Sequence, residues 1–172
     1  ASTGTPRPQE PPAYTAFSLY GGAAQASLGF GTGATAGLAL RIKRESLPVL
    51  LRFDIMGSRF SQTPTAFGGT SVLSDKAALT HVGATASLEL PIVNHGAIRP
   101  YLVAGGGVFR FQANGPAGNN GIISDGVFTA TTDGALSAGG GVLLGRHVFV
   151  EARYITVGDF NSIPVVLGFV FR

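Results

Sequence analysis

Two short charge pairs stand out: Arg52 with Asp54, and Glu151 with Arg153. Each keeps i, i+2 spacing, which on a β-strand sets both side chains on one face. Carboxylates and guanidinium groups placed this way can form a catalytic pair, an ion path or a structural network. Three histidines, His81, His95 and His147, are the candidates for a general base. His95 and His147 fall at short turns. His81 sits near the start of a strand with no acid beside it, so no catalytic residue is assigned and no enzyme is expected. Gly31-x-Gly33-x-x-Ala36 imitates a dinucleotide fingerprint, but that motif needs a following helix and here a strand follows. Asp75, Asp125 and Asp133 are loop acids without the spacing of a calcium loop. The chain has no cysteine, so disulfides and thiolate metal sites are excluded. No metal and no cofactor are expected.

The elements that must position these residues are strands. Eight are predicted, at about Tyr14–Gly22, Ala34–Ile42, Val49–Arg59, Ala78–Leu90, Arg99–Gln112, Ala135–Leu144, His147–Val157 and Ile163–Phe171. Val49, Leu51, Phe53, Ile55 and Gly57 alternate with Arg52, Asp54, Met56 and Ser58. After His147, Val148, Val150, Ala152 and Tyr154 alternate with Phe149, Glu151 and Arg153. In a soluble half-buried strand the polar phase meets water and is rich in Lys and Glu. Here there are two lysines, Lys43 and Lys76, both placed between strands, and charged residues make up 12% of the chain, about half of the roughly 25% usual in soluble domains. Glycine, at 26 residues, disfavours helices. No apolar run reaches the ~18–20 residues of a membrane-spanning helix. A net charge of +3, scattered along the chain, excludes a nucleic-acid surface.

An apolar outside and a charged inside define a barrel standing in lipid. The expected fold is an all-β, eight-stranded, antiparallel up-and-down transmembrane β-barrel over residues 14–172, after a flexible Pro-rich tail over residues 1–13. No signal peptide is expected in residues 1–12, which lack an apolar core. Lipid-facing positions are expected at Leu38, Leu40, Leu51, Phe53, Ile55, Leu88, Val103, Phe109, Val150, Tyr154, Leu167, Phe169 and Phe171. The interior is expected to hold Arg41, Arg52, Asp54, Glu89, Arg110, Glu151 and Arg153. A charge at mid-bilayer on the lipid side would cost about 2–4 kcal/mol, and an eight-stranded lumen has room mainly for side chains. The charges therefore read as a structural network, with four arginines facing three acids and a net positive interior. Two aromatic girdles are expected, Tyr101 and Phe171 at one rim and Phe109, Phe111 and Tyr154 at the other. Connections at 43–48 and 145–146 are short, whereas those at 60–77 and 113–134 are long and polar. An even strand number places both termini on the short-turn side.

Arg99-Pro100-Tyr101-Leu102-Val103-Ala104-Gly105-Gly106-Gly107, Val148-Phe149-Val150-Glu151-Ala152-Arg153-Tyr154 and the closing run Ile163 to Phe171 carry a family resemblance. Over residues 14–172 the chain resembles the small eight-stranded outer-membrane barrels of Gram-negative bacteria, of the OmpA, OmpX and opacity types. Members usually end on an aromatic residue, whereas here Phe171 is followed by Arg172. The resemblance implies a bacterial outer-membrane protein with periplasmic N- and C-termini, in contact with outer-membrane lipid and lipopolysaccharide. It also implies a non-enzymatic structural or surface-presenting role, with loops 60–77 and 113–134 meeting other envelope or surface proteins in adhesion or docking. A lipocalin-like soluble carrier of an apolar ligand would need the opposite assignment of faces. A subunit of a larger extracellular envelope assembly would cover its apolar face with neighbouring chains.

Overall fold

The computed structural model describes residues 13–27, 31–45, 47–61, 78–114 and 131–172. Eight strands run in chain order: β1 (Tyr14–Ala26), β2 (Gly31–Lys43), β3 (Leu50–Ser61), β4 (Ala78–Pro91), β5 (Ile98–Asn114), β6 (Thr131–Leu144), β7 (Val148–Val157) and β8 (Phe160–Phe171). Each pairs antiparallel with the next, and β1 also pairs with β8, so the sheet closes on itself. Closure leaves no strand edge with unpaired backbone groups, which in hydrocarbon would each cost several kcal/mol. The strands span 10 to 17 residues, enough for a tilted crossing that needs about 9–11.

All eight predicted strands are present, and four of them, β1, β2, β6 and β8, run three or more residues further at one end than the sequence suggests. The β1–β2 ladder continues to Ala26 opposite Gly31. β8 begins at Phe160, opposite Val157, so the expected loop at 158–162 contracts to a tight turn at Gly158-Asp159, with Gly158 at φ 56°. Turn-type residues such as Gly22, Gly33 and Asn161 lie within the ladders, which is why local composition underestimated the strands. Lys43 belongs to the end of β2 rather than to a loop, and its Nζ donates to the Leu47 carbonyl. The predicted tail up to residue 12, the bulk of loops 60–77 and 113–134 (62–77 and 115–130), and Asp75, Lys76 and Asp125 lie outside the described residues.

The face assignment needs one correction, on β5. Val103 and Phe109, expected outside, are 2% and 1% exposed and point inward. Arg110, expected inside, is exposed on the outer face. The outward residues of β5 are Leu102, Ala104, Gly106, Val108 and Arg110. Both phases of this strand are apolar, so hydrophobicity alone could not choose between them. Packing decides: the Phe109 ring lies over Gly83, directly opposite on β4, where an added Cβ would sit 2.3 Å from the ring. The same aromatic-over-glycine contact recurs for Tyr101 on Gly141, Tyr20 on Gly37 and Phe149 on Gly168, each pair in register. A narrow barrel accommodates large inward rings where the facing residue has no side chain. With Tyr101, Phe109 and Phe111 facing inward, the two expected girdles reduce, among the described residues, to an outer cluster of Phe17, Phe53, Phe169 and Phe171 at the short-turn end, with Tyr154 apart from it.

Filling one of these glycine sites should overpack the lumen. Gly83→Leu is expected to destabilise the barrel by about 1–3 kcal/mol, read as a lower urea midpoint in phospholipid vesicles, whereas Ala84→Leu on the outer face should change it little. Equal effects at the two positions would contradict the inward assignment of Phe109.

Candidate functional site: the closed lumen

Arg52 and Asp54 on β3 and Glu151 and Arg153 on β7 project into the lumen from opposite walls and meet at its centre. Arg52 donates through Nε and Nη2 to Asp54 Oδ1 at 3.0 and 2.8 Å, and through Nη1 to Glu151 Oε2 at 2.6 Å. Arg153 donates through Nε to Glu151 Oε1 at 2.6 Å and through Nη2 to Asp54 Oδ1 at 3.2 Å. The four side chains thus form a closed ring of alternating charge. Two tyrosines complete it: the Tyr20 hydroxyl donates to Asp54 at 3.2 Å and the Tyr101 hydroxyl to Glu151 at 2.7 Å. Toward the short-turn end, Arg41 Nε stands 3.0 Å from Glu89 Oε2, and its guanidinium lies 4.5 Å from the centre of the Phe149 ring.

Every member of this network is buried, and Arg52 is fully so. Charges removed from water are tolerated when partners and hydrogen bonds replace the lost hydration. Here three guanidinium groups face three carboxylates. The excess positive charge expected from the sequence is absent from the network because Arg110 points outward. The i, i+2 spacing correctly places each charge pair on one face. The closure of the two pairs onto one another depends on β3 and β7 standing across the barrel, which no local spacing encodes.

A second plug lies toward the long-loop end. His81 on β4 is 1% exposed and is ringed by Phe60, Phe109, Phe111 and Phe160, with centroids 5.3–5.8 Å away in edge-to-face geometry. Neither ring nitrogen has a hydrogen-bond partner among the described residues. His81 takes the inward face without an acid beside it, as expected, and the four rings around it are not evident from its own strand. The available signal was the recurrence of Phe in the same phase near the long-loop ends of β3 and β5.

The other candidates stand apart. His95 lines an open recess of about 490 Å³ at the short-turn end with Arg99, Arg146 and Arg172, and His147 Nδ1 is 3.0 Å from the Val170 carbonyl oxygen. Asp133 is exposed at the start of β6, and Gly31 to Ala36 form part of β2. Among the described residues no three His, Asp or Glu side chains gather as metal ligands. The remaining expected outward positions lie on the outer face: Leu38, Phe53, Ile55, Leu88, Val150, Tyr154, Leu167, Phe169 and Phe171 are exposed, and Leu40 and Leu51 are partly covered by neighbours on that face. Beside the charge ring is a cavity of about 10 Å³, bordered by Tyr20, Met56, Glu151, Arg153, Pro164 and Val166, at the lower limit of the ~10–15 Å³ that one water needs. The geometry ties strands together across the lumen at two levels.

An eight-stranded, all-antiparallel closed barrel with an apolar exterior is the transmembrane fold of small bacterial outer-membrane proteins. Two solved structures illustrate the likeness. The crystal structure of Neisserial surface protein A (NspA) aligns with TM-score 0.57 and 19% identity, over 92% of this chain and 97% of that one. Ail, the attachment invasion locus protein of Yersinia pestis, crystallised with the heparin analogue sucrose octasulfate, aligns with TM-score 0.51 and 16% identity, over 91% and 99%. At these identities the likeness is one of fold. No protein-family model and no curated protein matches the sequence.

Removing one member of the ring leaves an uncompensated buried charge. Asp54→Ala is expected to lower the unfolding free energy in vesicles by about 3–5 kcal/mol. Replacing Asp54 and Arg153 together with Leu and Met should cost less than the sum of the single changes. An additive double variant would show that the ring does not act as a unit.

Proposed function

We propose that this protein is a non-enzymatic, integral outer-membrane barrel whose work is done by its exterior and its long connections. Its termini and short turns face the periplasm, and connections 62–77 and 115–130 face outward. Rich in Gly, Ser, Thr and Asn, those connections suit adaptable polar contacts in adhesion or in docking to another envelope or surface protein. The observation that carries this reading is the packing of the lumen: an ion-paired ring and the aromatic rings around His81 occupy it at two levels, which speaks against a transport role. A soluble carrier of an apolar ligand would turn its apolar face to the lumen, where this barrel places the buried charge ring of Arg52, Asp54, Glu151 and Arg153. The structural likeness to NspA and to Ail, named for attachment and invasion, supports a surface role.

Two measurements test the reading. Purified protein in planar bilayers should give no discrete conductance steps, whereas steady single-channel steps would overturn the closed-lumen account. Replacing 62–77 and 115–130 with short turns should leave a folded, heat-modifiable barrel that no longer confers cell attachment. Undiminished attachment would overturn the presenting role.

A further inference from the structure

The net charge of +3, scattered along the sequence, gathers at one end of the fold. The buried network is balanced. The strand ends and connections at the long-loop end hold more acids than bases: Asp75, Asp125, Asp133 and Asp159 against Arg59, Lys76 and Arg110. At the short-turn end Lys43, Arg44, Arg99, Arg146 and Arg172 stand against Glu45. Glu45 lies beside the start of β1, where its Oε1 accepts from the Ala13 amide at 3.5 Å.

Register draws three of these arginines together. Beyond the β5–β6 ladder the Gly145 amide donates to the Ala97 carbonyl at 2.7 Å, and beyond the β7–β8 ladder the Val170 amide donates to the His147 carbonyl at 2.6 Å. The β6–β7 turn therefore stands between the start of β5 and the end of β8. Arg99 Nη2 donates to the Gly145 carbonyl at 2.5 Å, and the Arg172 guanidinium lies 4.3 Å from the centre of the Tyr14 ring. Arg99, Arg146 and Arg172, with His95, line the open recess of about 490 Å³. That is many times the ~30 Å³ share of one water, which gives room for a molecule carrying several anionic groups. Among the described residues no Asp or Glu lines the recess, and none of its arginines has a carboxylate within salt-bridge distance.

We propose that this recess binds a water-borne multivalent oxyanion, a small molecule carrying two or more carboxylate or phosphate groups. Guanidinium groups match the paired oxygens of either with paired N–H donors. Three of them around one recess repel one another, and a ligand of more than one negative charge relieves that repulsion. The approach is from water rather than from lipid. Arg99 takes the inward phase of β5 and Arg146 lies in a turn, whereas the outward residues at this end, including Leu90, Ile98, Leu144 and Phe171, are apolar. In the proposed orientation the recess opens to the periplasm, but the binding does not depend on that orientation.

The test uses the full chain in phosphatidylcholine nanodiscs, which leave both ends open to solvent. Pyrophosphate and citrate are titrated by calorimetry, with acetate as the monovalent comparison. Wild type should bind at least one of the two probes at one site per chain, on the order of tenfold more tightly than acetate. Arg99→Gln with Arg146→Gln should weaken that binding on the order of tenfold, and Arg59→Gln with Arg110→Gln at the long-loop end should leave it unchanged. Heat-modifiable migration reports whether each variant is folded; Arg172→Gln, beyond the last strand, provides a second variant and should also weaken binding. Absence of binding by both probes, binding without saturation, or unchanged affinity in the folded Gln variants would overturn the site. Native mass spectrometry of nanodiscs holding phosphatidylglycerol beside phosphatidylcholine separates the two sources of anion. Retention of phosphatidylglycerol that is lost in the Arg99→Gln, Arg146→Gln variant would assign the recess to a headgroup and overturn the water-borne ligand. Failure of wild type to enter nanodiscs at all would instead sink the membrane reading.

Discussion

The ring of Arg52, Asp54, Arg153 and Glu151 is the contact on which the rest of the structure depends. An eight-stranded barrel cannot hold a column of water wide enough to solvate these groups, so their charges must be satisfied by one another. They are: Asp54 and Glu151 each lie between both arginines, and each also accepts a tyrosine hydroxyl. Because the partners come from β3 and β7, on opposite walls, the ring fixes the barrel's cross-section as well as its polarity. A shift of one residue in register would turn each charge pair toward the outside and each outward Phe or Ile of those strands toward the centre.

Space is the second constraint, and it is met by size complementarity between neighbouring strands. Tyr20, Tyr101, Phe109 and Phe149 each lie over a glycine directly opposite. The glycines of β4, β5 and β6 are therefore not loosely placed flexible residues. Gly83 and Gly141 are the hollows into which rings fit, while Gly106 and Gly140 lie on the outer surface. The lumen is filled in layers, charged toward the short-turn side and centre and aromatic around His81 toward the long loops.

Much of this architecture was legible in the sequence, because alternation with period two is a local property. It set the number of strands, their order and, on β2, β3, β4, β7 and β8, the phase of every named residue. β5 escaped because Tyr101, Val103 and Phe109 compete with Leu102, Ala104 and Val108, and apolar character cannot rank two apolar faces. The glycines opposite would have resolved it, but reading them needs the β4–β5 and β5–β6 registers, which are tertiary facts. The enclosure of His81 was hidden for the same reason: its four rings come from β3, β5 and β8. Arg110 shows how one wrong phase propagates, since moving it outside balances the charge network and gives the outer rim its second positive charge.

The account stands on hydrocarbon meeting the outward side chains and being excluded from the inward ones. The chain contains no tryptophan, so single substitutions provide background-free reporters of lipid contact. The direct measurement is fluorescence quenching by brominated phospholipid in vesicles, with Trp at Leu102, Leu136 or Leu167 on the outer face and at Phe109 or Phe149 inside. Strong quenching at the first three positions and little at the last two is the predicted result. Quenching of the Phe109 and Phe149 reporters with protection of the Leu102, Leu136 and Leu167 reporters would contradict it.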